Sequence, residues 1–260
     1  MQTQCRKSLF GIWLLLATLS TIPARAAGTP CEGLGALKLP DTSITSAQVV
    51  AAGAFTSPTG GSQPAFKDLP EFCRVQAEIK PSKDSDIKME VWLPVSGWNG
   101  KFQGLGNGGF AGSISYPELA GALKNGYAGA MTDTGHSDSA ISAGWALGHP
   151  EKITDFGYRA VHEMTVQAKA VMQAFYGNGP KHSYFAGCSN GGRQALMEAQ
   201  RYPADYDGII AGAPAWNWTH LLADGAWNAQ ATLSLPGSYI SADKVPVIAS
   251  AVREACDAQD

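Results

Sequence analysis

The sequence predicts an α/β protein: a mostly parallel sheet with helices on both faces. Three observations carry this expectation. Strand-like and helix-like segments alternate from Cys73 onward, the pattern that lays crossover helices against a parallel sheet. The 260 residues are 45% apolar and 16% charged, enough to bury a full core, which excludes a disordered chain or a fibrous repeat. Glycine occurs 30 times, well above its usual share, and clusters just after two of the strand-like runs. A formal net charge of −3 without a block of Lys or Arg argues against a nucleic-acid partner.

Residues 1–26 read as a secretory signal. Arg6 and Lys7 precede the apolar run Leu9 to Leu19, and Ala24-Arg25-Ala26 supplies small residues at a cleavage point. The run is short of the roughly 20 apolar residues of a membrane span. A secreted or periplasmic protein, free of the membrane after cleavage, is therefore expected. In such a compartment disulfides persist. Cys31 and Cys73 flank a Pro- and Gly-rich N-terminal segment, 27–72, with little core of its own, so a Cys31–Cys73 bridge is the first choice. Four cysteines of the mature chain (Cys31, Cys73, Cys188 and Cys256) leave three pairings open.

The elements follow in order. Val75 to Ile79 and Ile87 to Leu93 are β-rich runs joined by Pro-Ser-Lys-Asp-Ser-Asp, a hairpin pattern. Lys101 to Leu105 is a strand leading into the glycine-rich run Gly104 to Gly109, Glu118 to Lys124 is helix-like, and Tyr127 to Thr132 is a small-residue strand. Phe156 to Tyr176 is the clearest helix. Ala160, Val161, Met164, Ala168, Val171, Met172 and Phe175 recur at three- and four-residue steps, with Asp155 as cap and Gly177 as stop. His182 to Gly187 reads as a strand, Gly191 to Tyr202 as a helix, and Gly208 to Ala213 as a buried strand. Reactive groups of such sheets sit where loops leave the carboxyl ends of strands, here after Leu105 and after Ala186.

Gly187-Cys188-Ser189-Asn190-Gly191 fits G-x-S-x-G, in which small neighbours let a serine occupy a sharp strand-to-helix turn. The bare motif is weak, but its setting is right: Tyr184-Phe185-Ala186 precedes it as a strand, and Gln194 to Ala199 follows as a helix. The plainer alternative is a serine that merely caps that helix. A nucleophilic serine also requires an oxyanion site of backbone N–H groups. By position, Asn190 supplies one, and Gly108 or Gly109 in the loop after the earlier strand supplies the second. The glycines could equally be a turn without a catalytic role.

The base and its orienting acid are not evident. In this arrangement the acid and the histidine follow the serine along the chain. After Ser189 only His220 remains, too close behind the strand at Gly208 to serve, and His136, His149, His162 and His182 all precede the serine. No histidine is assigned as base.

At this point the residues resemble the tannase and feruloyl esterase family of secreted α/β-hydrolase serine esterases, which includes mono(2-hydroxyethyl) terephthalate hydrolase. The resemblance runs from about Cys31 to the last residue. It is most specific in Gly187-Cys188-Ser189-Asn190-Gly191-Gly192-Arg193-Gln194, then in Tyr202 to Gly208 and Gly212-Ala213-Pro214-Ala215. Thr132-Asp133-Thr134-Gly135-His136, Asp155 to His162 and the loop Asn107 to Gly112 add further matches.

The resemblance implies an α/β-hydrolase core over 73–215, with a lid domain beginning over 216–260, the sequence stopping before the last strands and most of the lid. It implies Ser189 as nucleophile and a disulfide from Cys188 to a cysteine beside the catalytic histidine. Asp257 and Asp260 resemble the opening of a calcium loop in the lid, so a structural calcium is expected there, beside the alternative of a solvated terminus. Trp216, Trp218 and Trp227 fall near the junction of core and lid, where they would line an acyl pocket or simply pack. The substrate implied is a small aromatic ester, a plant polyphenol or cell-wall ester of the feruloyl or galloyl kind. The competing expectations are an inactive hydrolase-fold protein or binding module, and a hydrolase of other esters or of peptides.

Overall fold

The computed structural model describes residues 28–60 and 66–257. The expected signal, 1–26, and Asp260 lie outside the described residues.

The chain builds one seven-stranded sheet in the order β1-β2-β3-β5-β4-β6-β7, from β1 (Thr42–Val50), β2 (Phe72–Ile79), β3 (Ile87–Pro94), β4 (Lys101–Leu105), β5 (Ala128–Thr132), β6 (His182–Cys188) and β7 (Gly208–Gly212). The hairpin is present as β2 and β3, with Ile79 opposite Ile87. The α/β class holds, and the parallel character belongs to one half of the sheet. Strands β5, β4, β6 and β7 run parallel, whereas β1, β2, β3 and β5 are antiparallel neighbours. Strand β1 falls in the N-terminal segment, where no strand is expected. Its residues alternate between half-buried and exposed along a sheet edge, so little apolar periodicity marks it.

Helices cover both faces. The helix α1 (Tyr116–Lys124) packs Leu119, Ala120 and Leu123 against Trp92, Phe72 and Met131. On the other face α3 (Ala160–Tyr176) buries Ala160, Val161, Met164, Ala168, Val171 and Met172 against Val75, Val91, Phe102 and Phe185. Gly177 stops α3 in the left-handed region, φ 73°, where glycine has no Cβ to clash.

The start of α3 differs from the expectation. A short helix α2 (Pro150–Thr154) runs into it through a π-turn, Asp155–Arg159. Asp155 is thus inside the helical run rather than its cap, and it accepts a 2.6 Å bond from Arg159 Nε. Proline at the first position of α2 suits a helix start, and it moves the true N-terminus upstream.

The expected Cys31–Cys73 bridge is formed, tying a short 3-10 turn, Cys31–Ala36, to β2. Strand β7 is half-buried rather than buried, with Ile210 69% exposed, because it forms an open edge of the sheet. Beyond it, α5 (Trp218–Leu233) and α6 (Val245–Asp257) carry no buried residues. Among the described residues no helix is long and apolar enough to cross a membrane.

Candidate active site

Strand β6 ends at Cys188 and α4 (Asn190–Arg201) begins at Asn190, so one residue reverses the chain. Ser189 does so with φ 60° and ψ −119°, a conformation that costs an L-residue about 1–3 kcal/mol. Glycine makes the room: a Cβ on Gly187 or Gly192 would overlap the backbone of Gly191 or Gly212. Backbone bonds hold the bend. Ser189 N–H donates to Gly212 O at 3.0 Å, and Ser189 O accepts from Arg193 N–H at 3.1 Å and Ala215 N–H at 3.0 Å. The Ser189 side chain is exposed and makes no capping bond to α4.

Asn190 opens α4, so its N–H has no acceptor within the helix. The loop after β4 lies directly against this turn, with Gly106 meeting Gly191. In that loop Gly108 and Gly109 are exposed, and neither N–H finds an acceptor among the described residues. The two glycines differ in surroundings. Gly109, at φ 56°, is pressed against Ala140, while Gly108 opens onto a cleft of about 530 Å³ shared with Glu118, Cys188, Ile210 and Gly212.

The buried face of α4 is polar, a feature the sequence pattern did not signal: Asn190, Arg193, Gln194 and Glu198 point inward while Leu196 is 42% exposed. Arg193 donates to Asn190 Oδ1 at 2.7 Å, Gly157 O at 2.8 Å and Phe156 O at 2.9 Å. Burial pushes its guanidinium down to about 10. Phe156 and Trp218 lie 4.6 and 5.7 Å from it, and Trp218 also meets Phe110, next to the two glycines.

A family model for tannase and feruloyl esterase matches residues 73–260. The chain belongs to that family. It is 45% identical over 256 residues to an uncharacterised esterase of Xanthomonas campestris pv. campestris, covering 97% of this chain and 44% of that protein. Feruloyl esterase B of Aspergillus niger is 40% identical over 191 residues, with 73% of this chain and 36% of the relative covered. Among solved structures, feruloyl esterase B from Aspergillus oryzae superimposes with TM-score 0.72 at 35% identity, over 78% of this chain and 40% of that one. Tannin acyl hydrolase from Aspergillus niger superimposes with TM-score 0.56 at 26% identity, over 75% and 36%. The chain spans less than half the length of these family members.

All five histidines have partners other than Ser189. His136 Nε2 is 2.6 Å from Phe110 O and stacks on Trp145; His149 meets Asp84, His162 meets Asp205, His182 lies 4.0 Å from Asp207, and His220 meets Asn217. His162 belongs to a group with Asp205 and the fully buried Glu198, two turns along α4 from Asn190 and so roughly 12 Å away. Cys188 and Cys256 are free and exposed, so the disulfide implied for Cys188 has no partner among the described residues.

Trp218 joins the aromatic group beside the glycine loop, but Trp216 and Trp227 are 72% and 65% exposed and pack in no core. Asp257 is the last described residue and is exposed; no group of three metal-ligating side chains among the described residues includes it. Asp260 lies outside the described residues, so of the pair expected to open a calcium loop only Asp257 is placed.

Proposed function

We propose that this chain carries the nucleophile and oxyanion site of a serine carboxylesterase acting on esters of phenolic acids. The observation that supports it most is the conformation of Ser189: an exposed hydroxyl on a strained bend, used for no cap, followed by the unpaired N–H of Asn190, with the loop that carries Gly108 packed against the same turn through Gly106 and Gly191. Strain of this kind persists where the surrounding structure over-determines it, which fits a reacting group better than a turn.

In this reading Ser189 Oγ attacks the ester carbonyl, and the carbonyl oxygen, becoming negative, is held by Asn190 N–H and Gly108 N–H. The alcohol departs, leaving an acyl-enzyme that water cleaves. Gly108 is preferred to Gly109 because it faces the cleft. Phe110, Phe156 and Trp218 offer an aromatic wall for a phenolic acyl group. The names of the relatives, feruloyl esterase and tannin acyl hydrolase, point to the same substrates.

None of the five histidines is bonded to Ser189, so the reading assigns base and acid to residues outside this sequence, and residues 1–260 alone are expected to be nearly inactive. The Cys31–Cys73 bridge supports an exported protein, with residues 1–26 as the signal. The absence of any buried residue in α5 and α6 supports the start of a lid over 216–260.

The test uses the complete natural polypeptide. It is expected to hydrolyse methyl ferulate and to take up one fluorophosphonate per chain at Ser189, both lost in Ser189→Ala. Hydrolysis that survives Ser189→Ala, or a fluorophosphonate attached elsewhere, refutes the reading.

A further inference from the structure

The helix that starts at the bend turns one amide side chain back onto the glycine-rich loop. Gln194 sits one turn beyond Asn190 and is 2% exposed. Its Oε1 accepts from Asn107 N–H at 2.9 Å, and its Nε2 donates to Asn107 Oδ1 at 3.0 Å. Asn107, 4% exposed, gives its own Nδ2 hydrogens to Ser113 O at 2.9 Å and Thr132 O at 2.8 Å. The network fixes which way both amides face, since turning either would set donor against donor.

Two consequences follow for the oxyanion site. The Asn107 N–H is already engaged, so the first unengaged N–H of the loop after β4 belongs to Gly108. The two donors also sit on different pieces of backbone, Asn190 on α4 and Gly108 on the loop. Gln194 spans the two with a pair of bonds made to the residue next to Gly108. Donors of this kind act only when they sit about 2.7–3.1 Å from the developing negative oxygen. Bulk packing does not require an amide here. Gly106 already meets Gly191 backbone to backbone, and a thioether of Gln194's length would fill the same volume.

We infer that Gln194 is a positioning residue that sets the spacing of the Asn190 and Gly108 N–H groups by clamping Asn107. The inference rests on the serine-esterase reading above. It concerns the transition state rather than substrate binding, so its loss falls on kcat.

The experiment compares wild type, Gln194→Met and Gln194→Glu in the complete natural polypeptide, with an aryl ester as substrate and a fluorophosphonate as probe of Ser189. Gln194→Met keeps the volume and loses both bonds. Its kcat is expected to fall about 10- to 100-fold, short of the roughly 10²–10³ for removing an oxyanion donor outright, with KM within about twofold of wild type. Gln194→Glu supplies both bonds only when its carboxyl is protonated. The ratio of its kcat to that of wild type should approach one at low pH and fall as the carboxyl ionises. Purely structural damage would not recover in that way.

A folded Gln194→Met with wild-type kcat overturns the inference, as does a Gln194→Glu ratio that does not change with pH. If Gln194→Met fails to fold, the pH dependence of Gln194→Glu decides alone. The two readings fail differently. A wild type that neither cleaves aryl esters nor takes the probe at Ser189 brings down the esterase reading and this inference with it. A wild type that does both, alongside variants of unchanged kcat, brings down this inference only.

Discussion

Gly106 and Gly191 pack backbone against backbone: a Cβ on Gly106 would lie 2.6 Å from Gly191 Cα, and one on Gly191 would lie 3.2 Å from Gly106 Cα. Neither backbone can retreat, because Gly106 N–H donates to Ala186 O at 3.0 Å and Gly191 is in the first turn of α4. Gly106→Ala is therefore expected to push the loop off the helix and lower stability by about 1–3 kcal/mol. Gly108→Ala, whose Cβ meets nothing within 4 Å, is expected to unfold at the wild-type denaturant midpoint. Urea unfolding of the two variants checks the contrast.

Arg193 is held by three neutral acceptors and two aromatic faces. A lysine reaches only one of the acceptors at a time and lacks the planar stack. Arg193→Lys is expected to cost about 2–4 kcal/mol, as buried carbonyls lose charged donors. Equal midpoints for the variant and wild type would contradict this.

Glu198 gives the fold a pH dependence. Its carboxyl is wholly buried and lacks a donor, and burial first, then the charge of Asp205, raises it to about 8. The folded chain therefore binds this proton more tightly than the unfolded chain, whose carboxyl titrates near 4.3. Stability from this group is full below about pH 4, is lost as pH rises toward 8, and levels off above. Glu198→Gln, which stays neutral at every pH, should melt higher than wild type at pH 8 and approach it near pH 5. Melting curves of constant separation across that range would refute the assignment.

The Cys31–Cys73 bridge closes a separation of 42 residues around β1. Chain-entropy reasoning puts its contribution at about 4 kcal/mol. Cys31→Ser with Cys73→Ser should lower the denaturant midpoint, and a reducing agent should shift the wild type toward the double variant while leaving the variant unmoved.

On the esterase reading proposed above, Trp218 bears on substrate choice. Trp218→Ala in the complete polypeptide is expected to raise KM for feruloyl esters about 5- to 30-fold while acetyl esters change little, the loss of roughly 1–2 kcal/mol of aromatic contact. Equal losses on both ester classes would place Trp218 outside the acyl pocket.

What the sequence revealed was what local sterics dictate. The bend at Ser189 needs glycines at 187, 191 and 192, and those residue types announce it. Helix α3 announces itself because its inward face is apolar at helical spacing. The inward face of α4 stayed hidden because it is built from Arg193, Gln194 and Glu198, residues that periodicity assigns to solvent. Their burial depends on partners far away in the chain, such as Asn107 and Phe156, which no local pattern marks. Strand β1 was hidden for another reason, since its half-buried face carries Thr42 and Ser46 beside Ile44 and Ala47, and the alternation in burial leaves little apolar alternation in the sequence.

The positive φ at residue 189 ties chemistry to fragility. A glycine there would relieve the torsional penalty that serine carries and remove the hydroxyl in the same stroke, so Ser189→Gly should outlast the natural protein under heating while catalysing nothing. Selection for durability alone would erase this residue; on the nucleophile reading proposed above, the fold keeps a weak point for the sake of that oxygen.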